Sequence, residues 1–244
     1  MLTKNEIKYI RLLQDKKHRD AEMRFVAEGG KWLQELLKWK PDWLEKVYAT
    51  ENWLSGFEMA IDDKKIHITT DFELKKISGL ATPSQVIAII NKPAEEPLIF
   101  VKNTWNIVLD GIQDPGNLGS IIRIADWFGL QAVWCSPDCA DAFNPKVVQA
   151  TMGSLCRVKV IYQPLEKMLE ATTLPIFISD MEGKPVGEIG QKAGVLVIGS
   201  EGQGVRAGVR KKATGIITIP RIGHAESLNA AIATGIMVAT LTTQ

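Results

Sequence analysis

Six times between Trp105 and Ile219 the sequence returns to a short, nearly unbroken apolar run: 105–109, 132–135, 158–161, 176–179, 195–198 and 215–219. Helix-like stretches at 118–128, 146–152 and 165–171 lie between most of them, and another follows at 225–240. A strand with one face in water alternates apolar and polar side chains, whereas a strand buried on both faces does not. The pattern therefore predicts an α/β fold, with a parallel sheet covered by helices on both sides. No run approaches the roughly 18 apolar residues of a membrane-spanning helix, so no membrane partner is expected.

The first 90 or so residues read as a smaller α/β unit. Ile7, Ile10 and Leu13 keep helical spacing, and strand-like runs at 24–27, 46–49, 65–68 and 85–90 alternate with helices at 31–38 and after Thr70 or Asp71. The tract 91–97, with two prolines and two acids, has little to bury and reads as the start of a linker. The expected division is thus an N-terminal unit over 1–92, a linker over about 91–102, and a larger unit over 103–244. A 244-residue chain buries enough surface to need no disulfide or metal staple.

Net charge is +1 for the whole chain, yet residues 1–40 carry +4 and residues 41–100 carry −4. Lys4, Lys8, Arg11, Lys16, Lys17, Arg19 and Arg24 form the basic excess, which suits phosphate contacts or a solvated helix face equally well. Lys16, Lys17 and Arg19, placed between the first helix and the first strand, are the expected phosphate contacts. Three cysteines, an odd number, argue for reduced and mostly buried thiols. No His or Cys pair at zinc spacing accompanies Cys135 and Cys139, and no metal is expected. The polar, charged N-terminus carries no signal-peptide pattern, which predicts a cytoplasmic protein.

Chemistry is concentrated in three loops of the second half. Gly199-Ser200-Glu201-Gly202-Gln203-Gly204-Val205-Arg206-Ala207 follows a strand and superficially offers a dinucleotide fingerprint, Gly202-x-Gly204-x-x-Ala207. No acid stands at the end of the next strand to hold a ribose, and too little chain remains to complete such a domain. An earlier loop, 110–123, leaves a strand and opens a helix, with Asn117 as the expected N-cap. Arg123, set among apolar residues of that helix, suggests a phosphate or carboxylate partner, or else an ion pair with Asp126 three residues on. The third loop, 219–229, leads into a helix rich in Ala and Gly, where another backbone or a ligand must come close.

Taken in order, Asn117-x-Gly119-x3-Arg123, then Gly199-Ser200-Glu201-Gly202, then Ile219-Pro220 with Ser227-Leu228-Asn229 resemble the three signature motifs of the SpoU/TrmH family. These are S-adenosyl-L-methionine-dependent RNA ribose 2′-O-methyltransferases of the SPOUT class. The resemblance spans roughly residues 103–244. The first 90 or so residues are more loosely similar to the ribosomal-protein-like RNA-binding domain that many members carry. Arg221 departs from the methionine that members often have after Ile-Pro.

The resemblance implies a SPOUT-type sheet with a C-terminal trefoil knot, a topology that ordinary chain-connection rules would not suggest. It implies S-adenosyl-L-methionine as cofactor, held against the backbone of Gly199, Ile219 and Leu228. Arg123 would be the catalytic arginine, with Asn117, Glu201, Ser227 and Asn229 around it. It further implies a homodimer through the larger unit and an RNA partner, with ribosomal RNA of the large subunit expected over transfer RNA. Two rival classes are an NADP-type oxidoreductase, with Arg221 toward a 2′-phosphate, and a non-catalytic RNA-binding relative.

Overall fold

A computed structural model describes residues 1–94 and 98–243. In chain order the first elements are α1 (Lys4–Leu12), α2 (Lys16–Glu22), β1 (Arg24–Glu28), α3 (Gly30–Trp39), β2 (Leu44–Ala49), α4 (Glu51–Ser55), β3 (Ile66–Ile68), α5 (Asp71–Ile77) and β4 (Val86–Asn91). Next come β5 (Trp105–Asp110), α6 (Pro115–Trp127), β6 (Ala132–Cys135), α7 (Pro145–Thr151), β7 (Lys159–Tyr162) and α8 (Leu165–Glu170). The last are β8 (Ile176–Pro185), β9 (Gly194–Gly199), α9 (Ala207–Arg210), β10 (Gly215–Thr218) and α10 (Ala230–Thr242). They form two compact units, one of Met1–Ala94 with Asp141–Cys156, the other of Glu95–Ala140 with Arg157–Gln244.

In the first unit four strands lie in the order β1-β4-β2-β3, antiparallel except for the β2–β3 pair. Ile10, Leu13, Leu74, Ile77, Ile87 and Ile89 pack into its core. Two capping boxes start its helices: Thr3 with Glu6 on α1, and Thr70 with Glu73 on α5. The Thr3 backbone N–H and then its hydroxyl hold the Glu6 carboxyl down to about 2. The N–H of Leu2, followed by that of Thr70, lowers Glu73 below the ordinary carboxylate range.

The segment 141–156 packs with this unit although it is remote in sequence, a placement that a division into continuous stretches does not contain. Phe143 meets Phe25 at 4.9 Å between ring centroids, and Trp32 Nε1 donates to the Val148 carbonyl at 3.0 Å. Arg19 is 1% exposed, bonded to the carbonyls of Leu13 and Gln14 and ion-paired to Asp141 at 2.6 Å. That corrects the expected phosphate contact: a second helix, α2, fills the stretch between α1 and β1 and turns Arg19 inward, where the Leu13 and Gln14 carbonyls and Asp141 take its donors. Lys16 pairs with Asp20 at 2.9 Å, whereas Lys17 is exposed. Part of the expected linker, 95–97, lies outside the described residues. Asn91 ends β4, and Lys92 still belongs to this unit through an ion pair with Asp20.

The second unit carries six strands, all parallel, in the order β10-β8-β9-β5-β6-β7. β5 is buried along its whole length and β9 along all but its last residue, as continuous apolar runs require. The three cysteines are buried and form no disulfide. Among the described residues no helix is long and apolar enough to cross a membrane, and no cluster of His, Cys, Asp and Glu is placed to hold a metal ion.

β5 and β9 are neighbours from which the sheet is built outward in opposite directions, through β6 and β7 on one side and β8 and β10 on the other. Such a divergence opens a crevice beyond the carboxyl ends of the two strands. Asp110 and Gly199, their last residues, stand in register there.

Candidate functional site

All three loops singled out in the sequence belong to the second unit. The first leaves β5 at Asp110 and enters α6 at Pro115, whose missing N–H and fixed φ suit a first helical position. Asp114, rather than the expected Asn117, is the N-cap: its carboxylate accepts the Asn117 N–H at 2.8 Å. The cap therefore frees the Asn117 side chain. Its Nδ2 donates to Glu201 Oε1, and its Oδ1 accepts from Asn229 Nδ2 at 2.7 Å.

Asn229 is itself the N-cap of α10, accepting from the N–H groups of Ala231 and Ile232 at 3.0 and 3.3 Å. This side-chain bond starts the helix at Ala230, five residues later than the periodicity suggested. Glu201, Asn117 and Asn229, separated by up to 112 residues of sequence, thus form one hydrogen-bonded chain. Asn117 is its buried centre and Glu201 its exposed end.

The second loop folds back on the strand it leaves. A Cβ added to Gly199 would lie 2.2 Å from the Gly204 carbonyl carbon and 2.4 Å from the Val205 nitrogen, so only glycine fits. Gly204 turns the chain with φ +64°, and its N–H donates to the Ser200 carbonyl at 2.8 Å. Sequence reasoning missed the buried Asp110 beneath this turn. Its carboxylate accepts Arg206 N–H at 2.8 Å and Arg206 Nε at 2.6 Å, while Arg206 also reaches Asp138. The hydrogen bond to Asp110 is the chief reason the Arg206 pKa lies above its ordinary value. An acid closing the apolar run 107–109 just before a glycine was the signal available.

The remaining expected residues lie outside the hydrogen-bonded chain. Ile219 is half-buried just past β10; Ser227 and Leu228 are exposed and directly precede Asn229. Residues 220–228 make no backbone-to-backbone hydrogen bond among the described residues; Arg221 Nη1 donates to the Ala225 carbonyl at 3.3 Å, and the loop is otherwise open to solvent. Arg123 lies six residues beyond Asn117 on α6, about 9 Å along the helix axis, and is exposed. The open question of its partner is answered by Asp126, which is gripped by Arg157 through Nε at 2.9 Å and Nη2 at 2.7 Å. Among the described residues Arg123 forms no side-chain hydrogen bond or ion pair.

Compared with known proteins, residues 104–239 match the model of the SpoU rRNA Methylase family, and residues 4–88 match that of the MRM3-like substrate binding domain. A curated relative, the 23S rRNA (guanosine(2553)-2'-O)-methyltransferase RlmP of Bacillus subtilis strain 168, is 32% identical over 240 residues, covering 96% of this chain and 94% of its own. A TrmH-family protein of Porphyromonas gingivalis superposes with TM-score 0.87 at 35% identity, over 99% of this chain and 98% of its own. An AdoMet-bound rRNA methyltransferase of Sinorhizobium meliloti superposes with TM-score 0.85 at 28% identity, over 99% and 95% of the two chains.

Proposed function

Since the chain belongs to the SpoU rRNA Methylase family, it is an S-adenosylmethionine-dependent RNA ribose 2′-O-methyltransferase, and we propose that it acts on large-subunit ribosomal RNA. Its fold is that of the family, a parallel-sheet methyltransferase unit with an N-terminal substrate-binding domain. The full-length likeness to a 23S rRNA enzyme carries the choice of ribosomal over transfer RNA.

The residues fit the cofactor. Gly199 leaves no room for a Cβ, and among the described residues the loop 220–228 spends no main-chain polar group on another backbone group, the Ala225 carbonyl alone accepting from the Arg221 side chain. Gly199, Ile219 and Leu228 would hold the cofactor through their backbone. When bound, S-adenosylmethionine supplies the methyl carbon that the ribose 2′-oxygen attacks, and neutral S-adenosylhomocysteine leaves.

This chain's own task is to place a poor nucleophile and manage its proton. A guanidinium stays protonated at any working pH, so Arg123 does not serve as the base. Exposed and without a protein partner, it is available to grip an RNA phosphate and to stabilise negative charge developing on the 2′-oxygen. The proton passes to the RNA phosphate or to water. Glu201, Asn117 and Asn229 act as one unit that locks the three loops to each other, with Ser227 beside them on the third loop.

Two further features belong to this reading. The C-terminal segment is knotted, which accounts for the small residues of α10 where it packs on α6. A homodimer forms through the second unit, where Ile232 and Ile236, one turn apart on α10, and Trp127 on α6 expose apolar surface. A cytoplasmic location, beside the ribosome, goes with it.

Mapping 2′-O-methylated nucleotides in RNA from cells with and without this protein tests the reading. A methyl group lost from large-subunit ribosomal RNA is expected. Loss confined to transfer RNA would overturn the choice of substrate.

A further inference from the structure

Asp110 holds both ends of the loop that the proposed function assigns to the cofactor. At the start, its main-chain carbonyl accepts the Ser200 N–H at 3.1 Å. At the end, its carboxylate takes two donors from Arg206, one from the main chain and one from the side chain. Every residue between these two anchors is exposed except Val205, and within that stretch lies Glu201, which reaches Asn117.

The Asp110 side chain is fully shielded from water, whereas Arg206 is about half exposed. A buried carboxylate without its cation is costly, so the pair has a strong preference for the closed loop. Closure also presses Gly204 and Val205 against Gly199. We propose that Asp110, through Arg206, is a positioning residue that keeps the loop 199–206 in its cofactor-binding shape. It touches neither cofactor nor RNA. Its effect is to fix where the Gly199 backbone and the Glu201 carboxylate stand before either ligand arrives. The inference rests on the assignment of this loop to the cofactor.

The test measures the S-adenosylmethionine dissociation constant by calorimetry, together with KM and kcat, for Asp110→Asn, Arg206→Gln and the double variant. Each single change is expected to weaken cofactor binding about 10-fold, raising KM far more than it lowers kcat. The double variant is expected to be no worse than the poorer single one, since both remove the same contact. Asp180→Asn, which breaks an ion pair with Arg210 at the far end of the next helix, supplies a stability control whose cofactor affinity stays within about 2-fold. Arg206→Gln alters an exposed partner and keeps the test available if Asp110→Asn folds poorly.

Gly199→Ala separates the two ways of failing. If it abolishes cofactor binding while Asp110→Asn and Arg206→Gln bind normally, the clasp is wrong and the cofactor loop stands. If all three bind normally, the loop assignment is wrong and the clasp falls with it.

Discussion

Among the described residues Arg123 and Arg221 are the arginines of the second unit that no acid holds, and Arg221 instead donates to the Ala225 carbonyl. Arg157, Arg206 and Arg210 pair with Asp126, Asp110 and Asp180, and the Arg157 pair consumes the one acid that helical spacing offers to Arg123. A guanidinium left free on the helix that also presents Asn117 is placed for a ligand. Arg123→Ala is therefore expected to lower kcat by about 10²-fold while cofactor affinity stays within a few-fold. Calorimetry showing that the variant no longer binds S-adenosylmethionine would contradict that division of labour. Arg19 is the opposite case. Its ion pair with Asp141 is enclosed, so Arg19→Ala leaves a buried carboxylate uncompensated and is expected to cost about 3–5 kcal/mol in urea unfolding. A loss below about 1 kcal/mol would show that the pair contributes little.

At the scale of elements, caps decide where helices begin and what their side chains are left to do. Asp114 caps α6, and this is what releases Asn117 to bridge Glu201 and Asn229; Asn229 in turn both caps α10 and closes the bridge. In the first unit the capping boxes carry a pH dependence. Folding lowers the pKa of Glu6, to about 2, and that of Glu73. A carboxyl whose pKa falls on folding stabilises the native state above its unfolded value of about 4.3, and that contribution is lost as pH drops toward the folded value. Stability is thus expected to decline from about pH 4.5 downward, and Glu6→Gln with Glu73→Gln to flatten the decline. Urea midpoints across that range provide the check; an unchanged slope would remove these two groups from the account.

On the scale of the molecule, the first unit is completed by residues 141–156 from the second half of the sequence. Deleting 1–92 would strip the cover from Phe143 and Val148 and confuse RNA recognition with misfolding. Charge reversal is the cleaner probe. Lys4, Lys8, Arg11 and Lys17 are exposed, and changing Lys8, Arg11 and Lys17 to Glu is expected to weaken binding to ribosomal RNA fragments and reduce its salt dependence, with cofactor affinity retained. Unchanged RNA binding would deny this face a role. The apolar surface of Ile232, Ile236 and Trp127 predicts a species of twice 27.0 kDa in light scattering, and Ile232→Glu with Ile236→Glu is expected to return it to 27.0 kDa. A wild-type monomer at micromolar concentration would refute the dimer.

The sequence by itself determined the parallel sheet, because strands buried on both faces carry nearly continuous apolar runs, as 107–109 of β5 and 195–198 of β9 do. It also determined the order of the three loops, since glycines mark places where the backbone turns or comes close to something, as Gly199 does; the caps at Asp114 and Asn229 emerged only in the structure. It did not reveal Arg19, whose positive charge reads as surface until a remote Asp141 is folded against it. Nor did it disclose Asp110 and Arg206, 96 positions apart, which meet because β5 and β9 are neighbours in the sheet. Local pattern reports how a segment satisfies its own backbone and which face it buries. Which distant charges find each other, and which are left free for a ligand, is settled when strand order and register bring the loops to one edge.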